Sequence, residues 1–430
     1  MIKQDKLNPY FVIIILGLFI YFPILKNDFL DFWDDQWVVM NHYTEGGLNY
    51  SNLWKTLTEF YHGQYAPMNE LLYILLFEIF GYNSVIFHFT SIIIHILNSI
   101  LIYELIKKIL LLSDIVNTEL PQQISFLTAV LFIIHPLNVE SVAWMSASKV
   151  LVYAFFYLLS SLFFLEYIIR GSIIAYIISI ILFIFSFLGK EQAVTFPIWL
   201  LLLYWLINNK RVNLNIFFKI CPFIFLSIIF GFVTMLSQSA AGQGVLTDEA
   251  TYPLVNRFIF GCFAFVEYII KAILPYKLSY LYPFPNKIGE QVPLWIVIYP
   301  IMITISVVTL HKYLTKRIIA FSLLLFLIHI GITLHIVPLS RYIIIADRYI
   351  YISLIGILLI ISYIIMNLLS ITENKRKRQI ITTIIICYIF VLGNISNSRT
   401  KVWENTSTLK KELRFILSKK QSYEKIINSS

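Results

Sequence analysis

Charged residues are scarce in this sequence. They make up 13% of its 430 residues, whereas hydrophobic residues make up 59%, and the mean hydropathy is +0.78. Soluble domains carry about 25% charged residues. The composition therefore argues against a water-soluble protein and predicts a polytopic membrane protein. Phe and Tyr are abundant, at 35 and 27 residues, as expected where aromatic rings lie at membrane interfaces.

Cysteine is also rare. Cys221, Cys262 and Cys387 are scattered through apolar segments and lack the spacing of metal ligands, which argues against a disulfide framework or a zinc site. The net charge of +9 does not indicate nucleic-acid binding, because the basic residues cluster between apolar runs.

The first apolar run, residues 10–25, lacks the small-residue cleavage site of a signal peptide. It follows Lys3 and Lys6 and leads into Lys26-Asn27-Asp28-Phe29. We therefore expect a retained membrane anchor rather than a removed leader.

Apolar runs of membrane-crossing length recur along the chain. A helix needs about 20 apolar residues to cross the hydrocarbon, and shorter runs suffice where protein surrounds them. This criterion predicts eleven spans: 10–25, 84–106, 124–136, 147–169, 172–189, 193–208, 215–236, 292–310, 318–336, 350–368 and 379–395.

Basic residues fall in alternate gaps between these runs, which predicts an N-terminus on the cytoplasmic side and a C-terminus outside. The basic positions are Lys3, Lys6, Lys107, Lys108, Arg170, Lys210, Arg211, Lys312, Lys316, Arg317 and 375–378. Residues 257–274 are also apolar, but Glu267 and Lys271 give them a polar stripe, so we expect an interfacial helix there. The tail is an exception to the rule that basic residues mark the cytoplasmic side. Four basic residues there would lie outside: Arg399, Lys401, Lys410 and Lys411.

This topology places five segments on the outer face. They are a long first loop (residues 26–83), the turns 135–144 and 189–192, the region 237–291, and the approach 338–349.

The first loop contains two adjacent carboxylates, Asp34 and Asp35, shortly after the first span. Like charges so close resist joint ionisation, and membrane anchoring does not need them. A carboxylate at the water–lipid boundary suits an enzyme that deprotonates a hydroxyl beside a lipid-borne substrate. The simpler interpretation is an ordinary acidic loop end.

Other polar groups fall on the same face, each with a simpler interpretation. Glu140, five residues after His135, is also expected as a helix cap. Lys190 and Glu191 form either part of a site or a self-paired turn. Asp347 and Arg348 form either part of a site or a local ion pair.

Three polar residues of the second span, His88, His95 and Asn98, lie along one helix face. We expect them to make interhelical hydrogen bonds rather than to bind a ligand. Ionisable residues at membrane depth otherwise indicate function. Together the outer groups suit transfer from a lipid phosphate, since Arg binds phosphate through paired, charge-assisted bonds and a cation stabilises the charge of the leaving group.

An ordered series of motifs resembles one known family. The motifs are Phe32-Trp33-Asp34-Asp35, Tyr65-Ala66-Pro67-Met68-Asn69, Gly81-Tyr82-Asn83, Phe87-His88, His95-Ile96-Leu97-Asn98, His135-Pro136 with Glu140-Ser141-Val142-Ala143 and Lys149, Lys190-Glu191-Gln192, and Ala346-Asp347-Arg348-Tyr349-Ile350-Tyr351 with Leu354 and Gly356. Over roughly residues 10–410, the chain resembles GT-C glycosyltransferases of the transmembrane-and-tetratricopeptide O-mannosyltransferase type.

The resemblance implies an all-α polytopic GT-C fold and an inverting hexosyltransferase. The donor would be a polyprenyl-phosphate-linked sugar, often mannose. Asp34 would be the base, and Asp35 would orient it or bind the acceptor. Arg348, Lys190 and Tyr349 would contact the donor phosphate. Substrate-binding residues would be Tyr65, His135, Glu140, Glu191 and Asp347.

The resemblance also implies a domain organisation. Residues 1–395 would form the transmembrane glycosyltransferase domain, with an interfacial helix in 237–291, and 396–430 a short tail. Trp403-Glu404-Asn405 and Thr408-Leu409-Lys410 resemble the entry to a first tetratricopeptide repeat, but about three repeats are needed for a solenoid core. The acceptor-docking role of such repeats would then be missing or supplied by another protein.

We expect a bacterial inner-membrane enzyme that acts on a protein or glycan hydroxyl at the periplasmic face. The alternatives are a transferase that modifies lipopolysaccharide or another surface glycan, and a lipid-linked-sugar flippase. A transporter favours midplane polar groups and repeated halves, and the sequence has no evident internal repeat. No cofactor is expected, although Asp34 and Asp35 could hold Mg²⁺ or Mn²⁺ against a phosphate.

Overall fold

The computed structural model describes residues 8–116, 120–208, 214–242, 251–336 and 343–418. The predicted basic residues Lys3, Lys6, Lys210 and Arg211 lie outside these ranges, as do 338–342 of the predicted approach and the end of the tail.

The described chain is almost entirely helical, as predicted. The first group of helices is α1 (Pro9–Tyr21), α2 (Asp35–Val38), α3 (His42–Glu45), α4 (Tyr50–Thr58), α5 (Pro67–Phe80), α6 (Ser84–Ser113), α7 (Leu120–Ile133), α8 (Val139–Ala143) and α9 (Lys149–Arg170). The second group is α10 (Ile173–Gly189), α11 (Phe196–Asn208), α12 (Leu214–Ala240), α13 (Leu254–Ile273), α14 (Ile298–Leu314), α15 (Arg317–Ile330), α16 (Leu354–Ile371), α17 (Lys375–Thr400) and α18 (Thr406–Ser418). One antiparallel pair joins β1 (Tyr282–Pro283) to β2 (Ile343–Ile345).

Seven of the described helical segments are long and apolar enough to cross a membrane. They are Pro9–Lys26, Ser84–Ser113, Met145–Arg170, Leu214–Ala240, Leu294–Leu314, Leu354–Ile371 and Lys375–Trp403. An eighth is added if α7 and the following Pro136–Ala143 segment form one span bent by 52°. Two shorter apolar helices are Ile173–Gly189 and Arg317–Thr333. The chain is therefore a multi-pass membrane protein.

Polar caps and chain breaks set the limits of these helices. Asn8 accepts a hydrogen bond from the Tyr10 backbone N–H at the start of α1, and Ser172 does the same for Ala175 at the start of α10. Gly171 ends α9 at φ +67°, a conformation that glycine adopts without strain.

The predicted span 124–136 is interrupted. α7 ends at Ile133, and Pro136, which has no backbone N–H, begins a 3-10 turn that leads into α8. The Asn138 side-chain amide donates to the Phe132 carbonyl at 2.8 Å. Residues 135–144, expected as an outer turn, are instead a buried helical bend.

The first loop is a small helical layer with a core of its own. α2 to α5 lie within it, and its apolar side chains pack on the start of α6 and on Met145. The buried members of this second core are Phe29, Val39, Tyr73, Leu76, Phe87 and Met145. Burial of these side chains fixes the loop against the transmembrane helices.

Helix α15 approaches α16 closely at Gly356. A Cβ atom there would lie 2.3 Å from the Ser322 carbonyl oxygen and 2.9 Å from the Phe326 backbone nitrogen. Only glycine permits this backbone separation, so Gly356 sets the packing of the two helices.

Contacts between helix ends define two opposite ends of the molecule. At the first, the basic end, Lys108 at the end of α6 pairs with Glu166 near the end of α9 at 2.7 Å. Arg317 at the start of α15 donates to the Leu206 carbonyl near the end of α11. The opposite end, the site end, carries the first loop and the start of α9.

Candidate active site

Asp35 fastens the first loop to the turn before α9. Its Oδ2 accepts from the Leu30 backbone N–H at 2.9 Å, and its Oδ1 accepts from the Ser146 backbone N–H at 2.9 Å and from the Ser146 hydroxyl. Burial raises the pKa of Asp35 to about 6, although these hydrogen bonds act in the opposite direction. Both oxygens are thus engaged within the protein.

Asp34 is in a different environment. It is half-buried at the start of α2, and among the described residues its carboxylate has no hydrogen-bond or ion-pair partner. Two residues earlier, Phe32 has φ +54°, the left-handed region that a bulky side chain rarely adopts. Such strain concentrates at functional sites. The geometry leaves Asp34 as the carboxylate of the pair that can take up a proton from a substrate.

Arg348 lies in the 3-10 turn Asp347–Tyr349, ahead of α16, and pairs with the fully buried Glu140 of α8. Its guanidinium carbon is 5.3 Å from the centroid of the Trp144 ring and 5.1 Å from that of Tyr349. The two rings hold the planar cation on its faces, while Glu140 fixes one edge.

Asp34 and Arg348 both act electrostatically on one tyrosine, Tyr280. Burial raises the pKa of Tyr280, the positive charge of Arg348 lowers it, and the negative charge of Asp34 raises it. The geometry agrees, because Trp33 beside Asp34 and Trp144 against Arg348 both pack on the Tyr280 ring. The two residues are more than three hundred positions apart in sequence, and the fold brings them to the same aromatic cluster at the site end.

Three tryptophans surround Tyr280. Its ring centroid is 5.5 Å from Trp33, 5.5 Å from Trp144 and 5.4 Å from Trp403. Trp144 and Trp403 are stacked, with centroids 5.2 Å apart. This aromatic cluster lies between the first loop, the bend before α9 and the segment after α17.

Asp347, predicted to bind substrate, makes structural contacts. Its carboxylate accepts from the Tyr282 hydroxyl at 2.9 Å and from Arg399 Nη2 at 3.1 Å, and Arg399 Nη1 donates to the Leu278 carbonyl at 2.8 Å. Burial raises the pKa of Asp347, although the positive charge of Arg399 acts in the opposite direction. Asp347 thus ties β1 and α17 to the turn that carries Arg348.

Lys190 and Glu191 pair with each other. The Lys190 ammonium is buried and lies 3.3 Å from the Glu191 carboxylate, which is 41% exposed. The self-paired turn that the sequence left open is therefore present at the end of α10. The donor-binding role of Lys190 and the substrate-binding role of Glu191 stay predictions.

His135 is fully buried in the bend between α7 and α8. Its Nδ1 accepts from the Leu137 backbone N–H at 3.2 Å, which assigns the proton to Nε2, 3.0 Å from the Ala272 carbonyl. Tyr65 is half-buried in the first loop, and its hydroxyl donates to the Leu57 carbonyl at 2.7 Å. Neither residue contacts Asp34 or Arg348 through these bonds, and both substrate-binding assignments stay predictions.

His95 and Asn98 of α6 make the interhelical hydrogen bonds that the sequence predicted, whereas His88 is buried and makes none within the described residues. His95 Nδ1 lies 2.6 Å from the Tyr351 hydroxyl, and the Asn98 amide donates to the same hydroxyl at 3.2 Å and to the Leu151 carbonyl at 3.0 Å. These bonds hold α6 against α9 and the segment ahead of α16.

Sequence reasoning missed Ser146, Tyr280 and the role of Arg399. Ser146 and Tyr280 carry no local signal, because their importance comes from distant partners. Arg399 did carry one, since it stood against the charge rule. Its pairing with buried Asp347 gives that arginine a structural reason for its position.

Within the described ranges, no three His, Cys, Asp or Glu side chains lie close enough to hold a metal ion. Hydrogen bonds from Leu30 and Ser146 occupy Asp35, so a cation shared by Asp34 and Asp35 would have to displace them.

Comparison with known protein families found no matching family, and comparison with curated proteins found no match.

Proposed function

We propose that this chain is an inverting GT-C glycosyltransferase. It transfers a hexose, with mannose expected, from a polyprenyl-phosphate-linked donor to a protein or glycan hydroxyl. The ordered motifs support this proposal. The observation that carries it is that Tyr280 packs both on Trp33, the neighbour of Asp34 in the chain, and on Trp144, the ring against the Arg348 guanidinium.

The reaction is a single displacement. The Asp34 carboxylate takes the proton of the acceptor hydroxyl, whose oxygen forms a bond to the anomeric carbon of the sugar. The bond from that carbon to the phosphate oxygen breaks, and its electron pair leaves with the polyprenyl phosphate. The phosphate gains one negative charge, which a fixed Arg348 stabilises.

The neighbouring residues act as positioning groups. Asp35 fixes the start of α2 to Ser146 and thereby sets the place of Asp34. Glu140 bonds to Nη1 of Arg348, and the guanidinium has five N–H donors, so other donors remain for a phosphate. Glu140 also balances the charge of Arg348 before the donor binds.

The proposed setting is a bacterial inner membrane, with eleven spans, the basic end in the cytoplasm and the site end facing the periplasm. The basic residues at the ends of α6 and α9 and at the start of α15 support this orientation. α13, which carries Arg257, Glu267 and Lys271, is the proposed interfacial helix.

The decisive experiment replaces Asp34 by Asn in the full chain in proteoliposomes, with a radiolabelled polyprenyl-phosphate hexose. Loss of the base should reduce transfer by about 100-fold or more, because general-base catalysis contributes that much, and should leave membrane insertion unchanged.

Asp31→Asn is the matched control, because Asp31 is an exposed acid of the same turn. Unaltered turnover in Asp34→Asn would refute the assignment of the base. With native membranes, appearance of label in the protein or the glycan fraction identifies the acceptor class.

A further inference from the structure

Helix α17 begins with four basic residues. Its basic turn, as we name this segment, consists of Lys375, Arg376, Lys377 and Arg378. All four side chains are exposed. The last turn of α17 lies at the site end, where Arg399 pairs with Asp347 at 3.1 Å. The basic turn, at the other end of this helix, therefore belongs to the basic end.

The electrostatics of the basic turn are unfavourable within the protein itself. A helix N-terminus carries a partial positive charge that repels cations, and the first turn of α17 has no acidic residue. Lys375 and Arg378, three positions apart, also repel each other on one helix face. Among the described residues, none of the four forms an ion pair, not even with the adjacent Glu373. The compensating negative charge therefore comes from outside the described chain.

The apolar part of α17 places the basic turn at the level of lipid head groups. The segment Lys375–Trp403 is one of those long and apolar enough to cross a membrane. Arg378 and Arg399 bracket its apolar residues and lie about 32 Å apart along the axis of one continuous helix. The hydrocarbon core of a bilayer is about 30 Å thick. With Arg399 at one boundary, Arg378 reaches the other.

The first half of α17 faces lipid rather than other helices. The buried residues of α17 all belong to its second half: Leu392, Gly393, Ser396, Arg399 and Thr400. Ser396 donates to the Ile134 carbonyl at 2.6 Å and so fastens that half to the protein. Nearer the basic turn, Ile380 and Ile384 are more than half exposed. Lipid chains therefore surround the first half, and lipid head groups surround the basic turn.

We propose that the basic turn is a binding site for the head groups of anionic phospholipids. Their phosphodiester oxygens accept hydrogen bonds from the four cations, and the planar guanidinium groups of Arg376 and Arg378 bind phosphate through paired bonds. Basic clusters of about this size beside a spanning helix are typical of anionic-lipid contacts. The inference depends on the membrane location of the chain and not on the proposed transfer reaction.

A second copy of this chain fits the basic turn less well than lipid does. Two copies in one membrane that met along the exposed half of α17 in parallel would bring two basic turns together. Eight cations would then lie side by side, and like charges repel. Anionic head groups instead neutralise the turn.

The test measures which phospholipid gathers beside the basic turn. In the full chain, the three native cysteines are replaced by serine and a fluorophore is attached to Ser370→Cys, an exposed position at the end of α16. The protein is reconstituted at low salt in phosphatidylcholine vesicles. These contain increasing fractions of nitroxide-labelled phosphatidylglycerol or of nitroxide-labelled phosphatidylcholine, and the quenching of the fluorophore reports the local concentration of each lipid.

Variants separate the effect of charge from that of structure. Replacement of all four basic-turn residues by Gln removes the charge, whereas Lys375→Arg combined with Lys377→Arg is the matched control that keeps it. Lys410→Gln combined with Lys411→Gln is the positional control, because these residues lie in α18, which follows the site end of α17. A salt series on the unaltered chain needs no substitution, since ions screen exposed charges.

We expect half-maximal quenching by the anionic lipid at about one tenth of the fraction that the zwitterionic lipid requires. The four-Gln variant and high salt should abolish this preference, and both control variants should retain it. Equal quenching by the two lipids in the unaltered chain would overturn the proposal. So would a preference that persists in the four-Gln variant or is lost in the α18 control. If the four-Gln variant fails to insert, the salt series decides, and a preference that salt leaves unchanged refutes the site.

Discussion

At the residue scale, Asp34 and Asp35 show how different surroundings give two identical side chains different properties. They are adjacent and have the same intrinsic chemistry. Leu30 and Ser146 hold Asp35 by hydrogen bonds, whereas Asp34 is half-buried and has no hydrogen-bond partner among the described residues. The proposed assignment of base and positioning residue therefore depends on Ser146, 111 residues further along the chain.

The Asp35 pKa gives a pH-dependent prediction. The folded value is about 6 and the ordinary value is 3.8, so the folded chain binds more protons between these pH values. Asp35 thus contributes stability at low pH that is lost as the pH rises through about 6. Full ionisation in the buried site costs about 3 kcal/mol.

Replacing Ser146 by Ala should lower the free energy of unfolding by an amount that depends on pH. Above pH 6 the hydroxyl bonds to a charged carboxylate, so its removal should cost about 2 kcal/mol of unfolding free energy. Below pH 6 the carboxyl is neutral and the loss should shrink. Melting curves in detergent at pH 5 and pH 7.5 measure it; an equal loss at both pH values would contradict the titration of Asp35 in this range.

At the element scale, the helices are placed by a few close contacts and breaks. Pro136 bends the chain between α7 and α8, and this bend sets Glu140 beside Arg348. Gly356 sets α15 against α16, the helix that follows the Arg348 turn. Packing errors at either place would move the cation of the site.

Gly356→Ala tests the second contact. The added methyl group would overlap the Ser322 carbonyl, a backbone atom that moves only with its helix. Overpacking of this kind costs about 1–3 kcal/mol, and the melting temperature should fall accordingly.

Gly231→Ala provides the matched control. Gly231 lies in α12, and a Cβ there meets nothing within 4 Å. Alanine favours the helix by about 1 kcal/mol over glycine, so this variant should melt at the same temperature or higher. Equal destabilisation of both variants would exclude close packing as the cause.

At the scale of the whole molecule, charge is divided between the two ends. Exposed or paired basic residues occupy the basic end, and the site end holds buried ion pairs such as Arg399–Asp347. Buried pairs are costly to form, so the charged side chains of the site end are held in fixed positions by their partners.

Cysteine labelling tests the proposed orientation. In a chain without its three native cysteines, Lys287→Cys lies in the segment between α13 and α14, and Glu373→Cys lies between α16 and α17; both positions are exposed. A membrane-impermeant maleimide applied to intact spheroplasts should label the first and spare the second until the cells are opened. The reverse pattern would invert the topology, and labelling of both would change the number of spans.

Much of the helical framework could be predicted from sequence, because helix formation in a membrane depends on local apolar length. The predicted spans 84–106, 147–169 and 172–189 all fall within or close to observed helices. The interruption after Ile133 was missed, although Pro136 was visible, because apolar length alone does not show where a chain bends.

The candidate site was predictable only in part. The sequence singled out Asp34 and Arg348, and the fold places their neighbours Trp33 and Trp144 on Tyr280. It did not indicate Tyr280 itself, since aromatic residues occur throughout the chain and only packing shows which rings are in contact.

The sequence by itself determined that the protein is embedded in a membrane, because its apolar runs are long enough to cross the hydrocarbon. It also determined that these runs are helical, because each run must satisfy its own backbone hydrogen bonds in lipid. The tertiary structure alone decided which of the two adjacent carboxylates is held by hydrogen bonds and which has no such partner among the described residues. Ionisable side chains take their function from burial and from partners, and both are set by contacts between segments far apart in the chain.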